Sequence, residues 1–101
     1  MKKCCEDFLI EQFGDQDVVN EIYDEYVKSI REKLTEADAA LGSEDWTALD
    51  RVAHAIKGNA LATGDNDVAN VAIELRNAAK LTDKDRAHVL VDKLKELAKE
   101  I

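Results

Sequence analysis

No proline interrupts this chain of 101 residues, and its apolar residues recur three or four positions apart almost from end to end. Proline breaks helix interiors, and a three-to-four spacing gathers apolar side chains on one helix face. No stretch alternates long enough to build a sheet. The pattern therefore predicts an all-α chain.

The punctuation divides it into five helices. A first short helix is expected from Cys5 to Phe13, with Phe8, Leu9 and Phe13 facing inward and Gly14 as its stop. Asp15 can cap a long second helix ending near Leu41, with Val19, Ile22, Tyr26, Ile30, Leu34, Ala37 and Leu41 as its stripe. Gly42 ends it, and Ser43 is the expected N-cap of a third helix bearing Trp46, Leu49, Ala53, Ile56 and Ala60 on one face. That helix should end near Thr63 with Gly64 after it. A fourth begins around Asn66 or Asp67 and buries Val68, Val71, Ala72, Leu75 and Ala79. Thr82 with Asp85 resembles a capping box opening a fifth, where Ala87, Leu90, Val91, Leu94, Leu97 and Ile101 face inward. Short connections between amphipathic helices imply an antiparallel four-helix bundle, with the first helix packed across one end. Residues 1–101 are expected to form one domain with one core.

Charge narrows the partners. The chain is 46% apolar and 36% charged, with a formal net charge of −8. An acidic surface repels phosphate backbones and anionic lipid, which argues against nucleic-acid and membrane binding. No apolar run approaches a membrane span, and Met1-Lys2-Lys3-Cys4-Cys5-Glu6-Asp7 lacks the apolar stretch of a signal peptide. The expected location is the cytoplasm, and the initial methionine and short termini favour a free-standing protein. Adjacent Cys4 and Cys5 are poorly placed for a structural disulfide and read as incidental free thiols. No Cys/His cluster or Glu-x-x-His spacing supports a metal site. His88 flanks the last apolar stripe and reads as a boundary residue. Trp46, Tyr23 and Tyr26 read as core or rim.

One segment asks for a different explanation. Ala53-His54-Ala55-Ile56-Lys57-Gly58 places a glycine inside a helix, at a cost of roughly 1 kcal/mol relative to alanine. At about 100° per residue, Leu49, Ile56 and Ala60 fall roughly 200–240° from His54, and Ala53 at about 260°. His54 therefore points away from the core. Positions i and i+4 share a face, and side chains lean toward the helix N-terminus, so a side chain at 58 would cover the imidazole. Around His54 lie Asp50, Arg51, Lys57, Gly58 and Leu61, with Ala55 and Ala62 at the edge. Together they form a shallow, partly apolar patch suited to docking. On spacing alone, an ordinary surface histidine remains an equal alternative.

Imidazole is nucleophilic when neutral and makes a good leaving group when phosphorylated. Phosphoryl transfer also needs a metal and clustered charge. No glycine-rich nucleotide loop or Walker motif is present, and Lys57 alone is no kinase site. The chemistry fits a carrier whose partner brings the remaining groups.

His54-Ala55-Ile56-Lys57-Gly58, preceded by Ala53 and followed by Gly64, resembles the His-x-x-Lys-Gly motif of histidine-containing phosphotransfer domains. Val68-Ala69-Asn70-Val71-Ala72-Ile73-Glu74-Leu75 is similar to the family's next helix. The likeness is densest from Asp50 to Lys80, and the five-helix layout extends it to the whole chain. It implies a phosphorelay intermediate without kinase activity of its own. His54 would take a phosphoryl group on Nε2 from a receiver aspartate and pass it to another receiver. Lys57 would steady the phosphoryl oxygens, Gly58 would admit the receiver loops, and Gly64 would end the helix. The chain would need no cofactor, because the receiver brings the Mg²⁺. Response-regulator receivers, and a hybrid histidine kinase, are the implied partners, and closure of the bundle by four helices of one chain makes a monomer the expectation. Asn59, and Asn66 with Asp67 after Gly64, depart from the usual pattern. The alternatives are a helical module that binds receivers without carrying phosphate, and the phosphoacceptor segment of a larger kinase.

Overall fold

A computed structural model describes residues 1–101. It contains five α-helices and no strand: α1 Lys3–Phe13, α2 Gln16–Gly42, α3 Trp46–Ala62, α4 Asn66–Lys80 and α5 Lys84–Ala98. Helix α2 packs on α3 and on α5, α3 on α4, and α4 on α5, while α1 packs on α2. At 1.5 Å per residue, the 27 residues of α2 span about 40 Å, which sets the 42 Å length of a body 20 Å across.

The buried stripes join in one apolar cluster. Val19, Ile30, Leu34, Leu41, Leu49, Ile56, Leu75, Leu90 and Leu94 are all buried in it, as the spacing predicts. Tyr23 and Tyr26 are buried too, and Trp46 packs half-buried at the edge. Ile22, Leu97 and Ile101, expected to face inward, are only half-buried. Two expectations in the first helix fail. It begins at Lys3 rather than Cys5, and Phe13 is 54% exposed. Leu9 is buried as expected and Phe8 half-buried, and Cys5 completes the buried face, so Cys5 serves the core rather than being incidental. Phe13 sits in the last turn before Gly14 and takes no part in the apolar cluster.

Helix α4 starts at Asn66 as expected, but the caps of α3 and α5 differ from expectation, for one shared reason. Asp45, Asp65 and Asp83 cap α3, α4 and α5, each accepting from a backbone N–H three residues on. Each follows a residue with positive φ: Glu44 (54°), Gly64 (75°) and Thr82 (50°). In each turn the aspartate's N–H donates to a carbonyl five residues back, at 2.8, 2.8 and 2.9 Å. This is the Schellman arrangement, which satisfies the last carbonyls of one helix before the next begins. Ser43 is thereby absorbed into the end of α2, where its hydroxyl donates to Ala39 O. Thr82 becomes the left-handed residue, and its hydroxyl donates to Leu81 O. Neither is an N-cap. Gly64 alone must be glycine on two counts, because a Cβ there would also lie 2.5 Å from Phe8.

Beneath the α3–α4 turn, Asp65 is fully buried. Lys2 Nζ donates to it at 2.7 Å and Tyr26 OH at 2.8 Å, while the Lys2 backbone N–H donates to Tyr23 OH. Burial drives the Cys5 thiol up to about 12 and the Tyr26 hydroxyl well above its ordinary value, with Asp65's charge adding to both. Burial of Lys2 favours its neutral amine, but its hydrogen bond to Asp65 and that carboxylate's charge outweigh it, and the ammonium titrates above its ordinary value. Each group therefore holds its proton to higher pH in the folded chain than in the unfolded one. Above about pH 9, the ordinary value for cysteine, the unfolded chain binds fewer protons, and stability falls as pH rises. Urea midpoints are expected to drop steadily between pH 9 and 11. A constant midpoint across that range would contradict this network.

Candidate functional site

His54 lies mid-way along α3 and is exposed, as the helical geometry predicts. Its helix is fixed from behind by Leu49, Ala53, Ile56 and Ala60, all fully buried. Gly58 is exposed, and a Cβ built on it would meet nothing within 4 Å. Packing therefore gives no reason for glycine there, although the helix bears its cost. The open space lies one turn beyond His54, where the sequence placed it. Lys57 is half-buried and forms no ion pair or side-chain hydrogen bond, so its ammonium remains available.

The surrounding residues do not all face the ring. Leu61, 48% exposed, and Ala62 stay on the outer side, and Ala55 is half-buried. Arg51 instead lines a groove between α2 and α3 with Lys33, Ala40, Ala48 and Val52. Ala62 lines a second α2–α3 groove with Ile22, Tyr26, Ser29 and Asn59. There Asn59 Nδ2 donates to Ser29 Oγ at 2.6 Å, which ties α3 to α2. Asp50 turns the other way, toward α4. His88 is exposed on α5.

The residue that sequence reasoning missed is Arg76 on α4. Its Nε donates to Asp50 Oδ1 at 3.0 Å, and its Nη1 lies 3.0 Å from His54 Nδ1. The guanidinium thus links the candidate histidine to a carboxylate one turn before it. A signal was present: Thr63–Asp65 join α3 to α4 in a short turn centred on Gly64, with His54 ten residues before it and Arg76 twelve after it, so a helical hairpin sets them at similar heights on facing helices.

The segment carrying His54, Lys57 and Gly58 falls within a match to a family model. The model is that of the Hpt domain, and it matches residues 21–101. The chain belongs to the Hpt family. Membership places it in histidine phosphotransfer of two-component signalling. Hpt domains act there as phosphocarriers rather than kinases, and they interact with response-regulator receiver domains. No curated protein and no solved structure matches the chain. As an Hpt domain it has no helix long and apolar enough to cross a membrane.

Proposed function

We propose that this Hpt domain is a phosphorelay intermediate in which His54 carries the phosphoryl group. The observation behind this reading is the pairing of an exposed His54 with an exposed Gly58 whose missing side chain serves no packing need. In the acceptor step the Nε2 lone pair forms the N–P bond. The acyl P–O bond of a receiver's phosphoaspartate breaks, and its electron pair returns to the carboxylate. The reverse step on a second receiver completes the relay. Lys57, free of other partners, offers its ammonium to the phosphoryl oxygens. Mg²⁺ and its acidic ligands come from the receiver, and the chain supplies no kinase activity. Leu61, Ala62 and Ala55, with Asp50 and Arg51 at the flanks, form the face on which the receiver sits.

The same reading takes residues 1–101 as one domain: an antiparallel four-helix bundle of α2–α5 with α1 against one end. It takes the domain as a cytoplasmic monomer that also meets a hybrid kinase through its receiver. The direct test is transfer from an acetyl-phosphate-charged receiver, followed by mapping of the acid-labile label. Label on the peptide holding His54 is expected, and label elsewhere overturns the assignment.

Gly58 separates access from stability. Gly58→Ala should raise stability by about 1 kcal/mol, because it removes glycine's helix cost and meets no neighbour. Gly58→Gln should slow transfer at least severalfold by covering the ring, with folding intact. Denaturation curves and single-turnover transfer check the pair. Unchanged transfer in Gly58→Gln would remove Gly58 from the docking argument.

A further inference from the structure

Arginine carries only N–H donors and no acceptor. The 3.0 Å approach of Arg76 Nη1 to His54 Nδ1 is therefore a hydrogen bond only if Nδ1 presents its lone pair. In a neutral imidazole the proton then sits on Nε2. The bond is braced, because the Arg76 Nε–Asp50 contact at 3.0 Å fixes the guanidinium from its other edge. Both partners of that ion pair are partly buried, with side chains 25% and 30% exposed.

Two states of the ring respond differently to such a donor. A ring that attacks phosphorus through Nε2 needs its proton on Nδ1, where it would collide with the guanidinium N–H. A ring already bearing phosphorus on Nε2 has an unprotonated Nδ1, to which the guanidinium can donate. We propose, resting on the reading of His54 as the phosphorylated residue, that Arg76 is a positioning residue that matches the phosphorylated ring and opposes the attacking one. Arg76 must release Nδ1 for acceptance and returns once the Nδ1 proton has left to solvent. While in place it competes with protonation of Nδ1. That protonation precedes loss of the phosphoryl group to water: the water oxygen bonds phosphorus, the N–P bond breaks, and its electron pair returns to Nε2 of a ring that leaves neutral. Arg76 therefore lengthens the life of the phosphorylated state.

Nitrogen-15 NMR of the full chain reads the ring directly, without phosphate. The wild type should show the neutral ring with its proton on Nε2 and a hydrogen-bonded Nδ1. Arg76→Gln offers a carbonyl that can accept from Nδ1–H, and the proton population should move toward Nδ1. After transfer from a charged receiver and its removal, the phosphohistidine of Arg76→Gln should decay about tenfold faster at neutral pH, the scale of one charge-assisted hydrogen bond. Arg76→Lys, also donor-only, should stay within about twofold of wild type. A wild-type ring protonated on Nδ1 overturns the inference whatever the variants do. So does label that forms on His54 but decays equally in wild type and Arg76→Gln, and this leaves the carrier reading standing. A wild type that takes no label overturns both.

Discussion

A His54→Gln chain should take no acid-labile label from a phosphorylated receiver and should keep its helical content. Glutamine retains a polar side chain of similar length, but its amide nitrogen has no free lone pair with which to attack phosphorus. His54 is exposed, and exposed substitutions away from caps and ion pairs usually shift stability by no more than about 0.5 kcal/mol. The glutamine oxygen can also accept from Arg76 in place of Nδ1. Loss of labelling would therefore report chemistry rather than unfolding. Labelling of the variant at the wild-type level would remove His54 from its proposed role. The measurement is a transfer time course on wild type and variant side by side, with far-ultraviolet circular dichroism as the folding control.

The largest stability effect is expected at Asp65→Ala. The aspartate is fully buried, and its carboxylate accepts from Lys2 Nζ, Tyr26 OH and, at 3.5 Å, the Val68 N–H. Its removal leaves a mostly buried ammonium unpaired, a buried tyrosine hydroxyl without its acceptor, and α4 without its cap. Breaking a buried ion pair by deleting one partner costs about 3–5 kcal/mol, a large share of a small domain's typical stability of about 5–15 kcal/mol. In a chain of this size that is a fall of more than about 10 °C in Tm. Tyr26→Phe, which removes one hydrogen-bonding hydroxyl and leaves the ion pair, should cost only about 1–2 kcal/mol. Thermal unfolding of the two variants checks the order. An Asp65→Ala loss below about 1 kcal/mol would show that the network does little for stability. The clamp joins the chain start, α2 and the α3–α4 turn, so it holds the hairpin that sets His54 opposite Arg76.

Much of the architecture was legible because apolar spacing is a local property. Leu49, Ala53, Ile56 and Ala60 define a face by their positions alone, and that face fixes His54 on the opposite side. Helix starts were read less well. Ser43 and Thr82 are good capping residues, but the preceding helix claimed one and a left-handed turn the other, since closing the old helix's carbonyls takes precedence in these turns. Phe13 shows the same limit: an apolar residue at the right spacing stays in water when no neighbouring helix reaches it.

The sequence by itself determined the helical class and, within about one turn of one helix, the outward histidine, the nearby lysine and the glycine that leaves the ring uncovered. The tertiary structure alone decided what depends on two helices meeting. It turned Asp50 toward α4 and Arg51 toward α2, buried Asp65 under a lysine 63 residues away, and brought Arg76 to Nδ1 of His54. The physical reason is range. Periodicity records which face of a helix meets the core, but which side chain stands opposite another depends on the length and geometry of the turn between them.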